Sequence, residues 1–298
     1  MKTAVIDIGT NTLLLLIVNE QKQRVVDLCR FGRLGKGLDA SGNLAAESIT
    51  KSLDICREYR KVMDEHGVAT PRVIGTQALR EAANAAEFVG PAEEILRAKL
   101  EVIGGSREAE LAFLSVAKSM PELAGQAFVV VDVGGGSTEF IVTDGAKVVS
   151  AVSIKIGAVR LTERHLKTDP PTAAELAALE ADIDERLAAL GLPTNVPIIG
   201  TAGTATTLAA VALKLVPYDP DRVTGFRLTP EDIEALYGRL ARATVAERKA
   251  MPGMEPQRAD VIAGGAAIYA RIMKRTNAPV FVACDRGIRW GLVYEGGG

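Results

Sequence analysis

Two acidic residues, Asp7 and Asp132, each stand inside an apolar run just before a turn of glycine and hydroxyl residues, a combination suited to phosphate chemistry. In "AVIDIGTNTLLLLIV" (4–18) the aspartate precedes Gly9, Thr10, Asn11 and Thr12. In "VVVDVGGGSTEFIV" (129–142) it precedes Gly134, Gly135, Gly136, Ser137 and Thr138. Thr12 lies five residues after Asp7, and Ser137 five after Asp132, so the two stretches share one register. A tight glycine and hydroxyl turn between buried strands presents several backbone N–H groups to one point, and small side chains let a phosphate come close. A carboxylate there repels phosphate, so it makes sense with a divalent cation or an attacking water between them. One such turn also reads as a glycine hairpin beside a solvated aspartate; two in matching register point to a site. The second turn is the more specific, because Asp132 and Glu139 bracket it with carboxylates. A third stretch, Gly200 to Ala205, reads as a loop from a strand into a helix N-terminus, where Gly203 and Thr204 could meet an anion. Close packing of small residues is its plainer explanation.

The elements that must position these groups occur in the same order twice. β-branched and apolar content predicts strands over 3–7, 13–18 and 24–31, a helix over 45–65, a strand over 72–76, and helical stretches over 78–89 and 94–100. A strand over 100–103, a turn at Gly104 and Gly105, and a helix over 107–120 follow. The order then restarts with strands over 127–133, 138–145 and 147–154 and a helix over 172–190 that stops at Gly191 and Pro193. The remainder reads as a strand entering the third loop, a helix over 231–242 opened by Thr229 and Pro230, a helix over 258–275, a strand over 278–284 and a helix over 287–295, with a frayed glycine end. Two related α/β units facing each other across a ligand cleft are the expectation.

At 298 residues the chain has room for two domains, and 48% hydrophobic with 24% charged residues is ordinary for a soluble protein. The apolar runs are too short to span a bilayer and the start lacks a signal-peptide layout, so a cytoplasmic protein with no membrane partner is expected. A net charge of −2 argues against a nucleic-acid partner. Cys29, Cys56 and Cys284 are odd in number and far apart, and read as three buried reduced thiols. Only His66 and His165 are present, too few for a histidine-ligated metal cluster; both read as solvated helix residues.

"DIGTNT", "GTQALREA", "DVGGGSTEF", "SIKIGAVRLTE", "GTAGTATTLAA" and "DRGIRWGLVYE" resemble, in order and over essentially the whole chain, the exopolyphosphatase and guanosine pentaphosphate phosphohydrolase family. The resemblance implies two duplicated actin-like (ribonuclease H-like) α/β domains, with mixed sheets flanked by helices and an interdomain cleft. It places one domain at 1–122 plus 286–298 and the other at 123–285, in the short form without a C-terminal helical extension. It also implies metal-dependent release of terminal orthophosphate from inorganic polyphosphate, with Mg²⁺ or Mn²⁺, by a homodimer. The family's catalytic glutamate lies in a segment resembling "ISGEEEA"; here residues 103–109 read "IGGSREA", so Glu108 takes that position and Arg107 adds a cation that could touch substrate. Asp7, Asp132 and Glu139 match the acidic positions around the metal, with Asp132 and Glu139 also serving the water. Arg33 and Arg80 are the implied phosphate-binding cations beside Thr10, Asn11, Thr12 and the second and third turns. Arg286, Lys155, Arg160 and Arg258 are further candidates.

Other readings share these features. Glu108 could be a first-turn glutamate that only offsets a helix dipole. The loops alone would permit a kinase, and guanosine pentaphosphate offers the same anhydride bond as polyphosphate. The single glutamate that remains of the acidic run would also suit a polyphosphate or alarmone sensor without turnover.

Overall fold

A computed structural model describes residues 2–296; Met1, Gly297 and Gly298, and with them the expected glycine end, lie outside the described residues. The chain forms two compact units, Met1–Leu111 with Ile288–Gly298, and Ala112–Gly287. The first division falls within the helix Gly105–Ser119, against the expected boundaries after 122 and 285.

Each unit is built on a sheet of the same topology. In the first, β1 (Thr3–Ile8), β2 (Leu13–Val18), β3 (Arg24–Arg30), β4 (Arg72–Gly75) and β5 (Leu100–Val102) lie in the order β3-β2-β1-β4-β5. In the second, β6 (Phe128–Val133), β7 (Thr138–Thr143), β8 (Val148–Ile154), β9 (Ile198–Thr201), β10 (Arg227–Leu228) and β11 (Phe281–Ala283) lie in the order β8-β7-β6-β9-β11-β10. β1 pairs antiparallel with β2 and parallel with β4, and β6 pairs antiparallel with β7 and parallel with β9. Even the irregularities repeat: the β2–β3 register shifts at Ile17/Val18, and the β7–β8 register at the matching Val142/Thr143. These are two mixed sheets flanked by helices, with one strand order used twice, and only β10 lacks a counterpart.

The alternation along β1 decides where Asp7 goes. Ala4, Ile6 and Ile8 face a core built with the helices Ala46–Glu65 and Ala86–Leu96. Val5 faces the other way, into a cluster with Ile74, Ile103, Leu111, Trp290 and Leu292. Side chains two apart share a face, so Asp7 sits with Val5 on the side that carries the Gly105–Ser119 and Ile288–Glu295 helices. That last helix is seated closely: a Cβ on Gly291 would come within 2.2 Å of the Leu111 carbonyl oxygen.

Several expected elements come out differently. The helical stretch over 78–89 is broken: a short helix, Gln77–Glu81, ends before Ala82, and Ala86–Leu96 then absorbs the start of the second expected helix. Residues 97–100 leave the helix because Arg97 takes a left-handed conformation (φ 54°) and Leu100 already pairs in β5. Gly105 opens its helix and does not form a turn. The helix Ala158–His165, hidden inside "SIKIGAVRLTE", was not foreseen from hydrophobic spacing.

His165 is not a solvated surface residue. Its Nε2 lies 2.8 Å from Asp182 Oδ2, and Arg164 and Arg186 donate to the same carboxylate at 2.8 and 2.6 Å. Burial alone would raise the Asp182 carboxyl, but the bonds from His165, Arg186 and Arg164 outweigh it and hold the group at about 2. A folded-state value below the unfolded one gives stability that is complete above about pH 4 and is lost as pH falls toward 2. Asp182→Asn is expected to cost about 1–2 kcal/mol near neutral pH, after allowance for solvent screening, with the deficit shrinking below about pH 4 and largely gone by about pH 2. Urea melts of both proteins across pH 2–7 check this. Cys29 likewise departs from expectation, being only half-buried, whereas burial pushes the Cys56 and Cys284 thiols up to about 12.

Candidate active site

In the first unit the turn after Asp7 closes through Gly9 N–H, which donates to Thr12 O at 2.9 Å. The segment after β3 then packs over the turn: Gly35 N–H donates to Thr10 O and Arg33 N–H to Asn11 O, each at 2.9 Å. A trans peptide points its N–H opposite its C=O. With these carbonyls held on one side, the amides of Asn11 and Thr12 face the other side, and among the described residues no protein group accepts from them. Gly35 permits this approach, since a Cβ there would lie 2.4 Å from Thr10 Cγ2.

A chain of contacts runs from this turn to Glu108. Thr10 Oγ1 donates to Gln77 Oε1 at 2.9 Å, and both residues are buried. Arg80 lies three residues on, on the same side of the short helix. Its Nη1 donates to Ile103 O at 2.6 Å and forms an ion pair with the Glu108 carboxylate. Glu108 is buried in the first turn of its helix, Arg80 is a quarter exposed, and the other guanidinium nitrogens of Arg80 meet no acceptor among the described residues. Arg80 and Glu108, from separate stretches of the sequence, are therefore one unit: Arg80 fixes the carboxylate with one nitrogen, while its other donors meet no acceptor among the described residues.

In the second unit Gly134 N–H closes the turn on Ser137 O at 3.0 Å. The helix Ala158–His165 docks on the back of this turn. Ala158 N–H donates to Gly134 O, Val159 and Arg160 N–H to Gly135 O, and Arg160 Nε to Gly136 O, at 2.8–3.0 Å. By the same peptide geometry the amides of Gly135, Gly136 and Ser137 face away from the helix, again without a protein acceptor among the described residues. Gly157 makes this docking possible, since a Cβ would lie 2.5 Å from the Gly135 oxygen.

Beside this turn, register sets a polar row across the sheet. Asp132 is opposite Glu139, Glu139 is opposite Ser153, and Asp132 is level with Thr201 on the parallel side. Glu139 is 2% exposed, and its Oε1 accepts from Ser137 Oγ at 2.8 Å and Ser153 Oγ at 2.7 Å. Burial pushes the Asp132 carboxyl up, opposed by a 2.8 Å bond donated by Thr201 Oγ1. The matching row in the first unit is Cys29, Leu14, Asp7 and Ile74, apolar except for the aspartate. The second unit thus sets two carboxylates side by side where the first has one. No group of three or more His, Cys, Asp or Glu placed for a metal occurs among the described residues. Mg²⁺ does not need one: it takes one or two carboxylates and completes its shell with water and phosphate oxygens, and Asp132 with Glu139 fits that habit.

The geometry reassigns several expected contacts. Thr138 turns its hydroxyl inward to Ile156 O at 2.7 Å and so offers no donor to a phosphate. The Ser137 hydroxyl is held by Glu139 and the Gly134 amide by its own turn, which leaves the amides of 135–137 as the donors. Gly203 and Thr204 are not in a loop, because β9 runs directly into the helix Ala202–Leu213; Thr204 is buried against Gly265, and the Arg258 guanidinium covers Gly203. Arg160 braces the second turn from behind, and Arg107 is tied to Glu295 and Glu110, so neither is poised for substrate. Lys155 is exposed, Arg286 is half-exposed and accepts at its carbonyl from Ser115 Oγ, and Arg33 is half-buried. Sequence reading missed Gln77, Thr201, Ser153 and Gly157. The signal for two of them was present: "IGT" recurs at 74–76 and 199–201, where Thr201 ends β9 and Gln77 opens the helix just after the first copy.

The model of the Ppx/GppA phosphatase family matches residues 10–296. Exopolyphosphatase 2 of Mycobacterium tuberculosis is 36% identical over 289 residues, covering 92% of this chain and 90% of that protein. A crystal structure described as an exopolyphosphatase-like protein is 36% identical with a TM-score of 0.92, covering 100% and 99% of the two chains. The Ppx/GppA family member of Aquifex aeolicus is 32% identical with a TM-score of 0.82, covering 99% and 97%. With the duplicated fold, the two amide turns and these likenesses together, the chain belongs to the Ppx/GppA phosphatase family.

Proposed function

We propose that the protein is an exopolyphosphatase, a phosphoanhydride hydrolase that releases terminal orthophosphate from inorganic polyphosphate. The observation that carries this reading is the pair of turns whose carbonyls are held from behind, so that Asn11 and Thr12 in one unit and Gly135, Gly136 and Ser137 in the other present amides without protein acceptors. Such donors suit phosphoryl oxygens, which only accept. In this reading Glu108 orients a water for in-line attack on the terminal phosphorus. The new P–O bond forms from the water oxygen, the bridging P–O bond breaks with its electrons leaving on the shortened chain, and Glu108 takes the water's proton. Arg80 holds Glu108 in place and offers its remaining donors to phosphate. A Mg²⁺ or Mn²⁺ ion held by Asp132 and Glu139 would offset the charge of the chain. Asp7 is assigned the water or metal shell of its own turn. Homodimerisation and a cytoplasmic location belong to the same proposal.

The test is orthophosphate release from long-chain polyphosphate and from guanosine pentaphosphate, side by side, with Mg²⁺ or Mn²⁺ and with a chelator. Faster metal-dependent release from polyphosphate is expected. Preference for the nucleotide would replace the substrate, and tight binding of both without release would make the protein a sensor.

A further inference from the structure

Gln77 has no part in the chemistry above, yet its side chain is only 4% exposed and its Nε2 is buried with no hydrogen-bond partner. A primary amide carries two N–H donors, and buried donors without acceptors are costly enough that native folds seldom keep them. The other end of the same amide is well used, since Oε1 accepts from Thr10 Oγ1 at 2.9 Å. Thr10 belongs to the turn whose Asn11 and Thr12 amides meet no protein acceptor among the described residues, so the unmet donors lie one carboxamide away from that turn.

The amide could be turned over, with Nε2 then donating to Thr10. That arrangement would leave Oε1 buried as an unmet acceptor, which an anion cannot satisfy. The orientation observed leaves only donors unmet, which is what a phosphate oxygen requires. The duplication supplies an internal comparison. Gln77 is the first residue of the helix after β4, capped by Thr76, and the helix that β9 runs into is capped by Thr201 and opens on an alanine, Ala202, in a left-handed conformation (φ 63°). The corresponding helix start in the second unit is thus made without a glutamine.

We propose that Gln77 is a substrate-binding residue. Its Nε2–H groups donate to a non-bridging oxygen of the phosphate held on the Thr10–Thr12 turn, while the Thr10 hydroxyl fixes the orientation of the amide. This rests on the phosphate-chain reading of the site. A buried neutral donor grips one phosphate without adding a charge that would have to be overcome when orthophosphate leaves.

Gln77→Glu is the decisive variant, because it keeps the acceptor for Thr10 and the shape of the side chain while removing both donors. Binding of imidotriphosphate, which resists hydrolysis, is measured by calorimetry, and KM and kcat for polyphosphate are measured alongside. Binding about tenfold weaker and KM about tenfold higher are expected, with kcat changed by less than about threefold. Gln77→Met, which has neither donors nor charge, is expected to fall between this variant and the native protein, and it decides the matter if Gln77→Glu does not fold. Folding is followed through the fluorescence of Trp290, the only tryptophan and a buried one. Unchanged binding in both variants would show that Gln77 only braces Thr10 and would overturn the proposal. Native protein that binds imidotriphosphate but releases no orthophosphate would overturn the hydrolase reading and leave the assignment of Gln77 intact.

Discussion

Replacement of Glu108 by glutamine is expected to lower orthophosphate release about a thousandfold while leaving phosphate-chain binding and thermal stability close to native. The amide keeps the shape of the side chain and an oxygen that Arg80 Nη1 can still donate to, so the Arg80 contact to Ile103 O and the helix start at Gly105 have no reason to move. What disappears is the group that accepts the water's proton. Arg80 is also left less neutralised, so the affinity for a polyanion is expected to stay level or to rise slightly. Saturating kcat with Mg²⁺ reports the loss, and calorimetry with imidotriphosphate reports the retained binding. Turnover within about tenfold of native would reduce Glu108 to a first-turn glutamate that offsets the helix dipole and anchors Arg80.

Gly157→Ala is expected to damage phosphate binding severely. Gly157 has extended backbone (φ −164°), which any residue adopts, so the damage is steric and not conformational. The new Cβ would stand 2.5 Å from Gly135 O and 2.7 Å from Gly136 N, both backbone atoms of the turn. Either the turn or the helix Ala158–His165 must give way, and the bonds that hold the carbonyls of Gly134, Gly135 and Gly136 are released together. Overpacking of this kind costs about 1–3 kcal/mol. Activity is expected to fall about a hundredfold, mostly through KM, because amides that are no longer aimed at one point lose their combined grip on phosphate. Gly203→Ala is the control. There the nearest atom is the Arg258 guanidinium tip at 1.1 Å, the far end of a flexible side chain that can swing aside, so stability should hardly change. Thermal melts followed at Trp290 and steady-state kinetics on both variants separate the two outcomes. A native-like KM for Gly157→Ala would mean that helix docking does not aim the turn.

The parts of the site legible in the sequence are those encoded by local spacing. Asp7 with Thr12 and Asp132 with Ser137 announce two equivalent hairpin turns, because glycine and hydroxyl residues between β-branched runs permit little else, and the hydrogen bonds Gly9–Thr12 and Gly134–Ser137 are indeed the same bond made twice. The duplicated strand order followed from the same repeat. Glu108 could be matched to the family through its place at the start of a helix, even with the acidic run reduced to one residue.

Contacts between residues far apart in the chain were not legible. That Arg80 holds Glu108, that Thr10 bonds Gln77, that Thr201 and Ser153 serve Asp132 and Glu139, and that a helix starting fifteen residues beyond Thr143 occupies the carbonyls of the glycine turn all depend on which strands lie side by side. A hydroxyl in a motif can face a ligand or the core with equal local plausibility; Thr138 and Thr10 look alike in sequence, and only the Ile156 carbonyl and the Gln77 amide separate their roles. By itself, then, the sequence determined the two turns, the carboxylates beside them and the repeat that carries them, because these rest on backbone preference and periodicity. Tertiary structure alone decided which donors stay open to phosphate, because a hydrogen-bonding group is available only when packing has not already given it a partner.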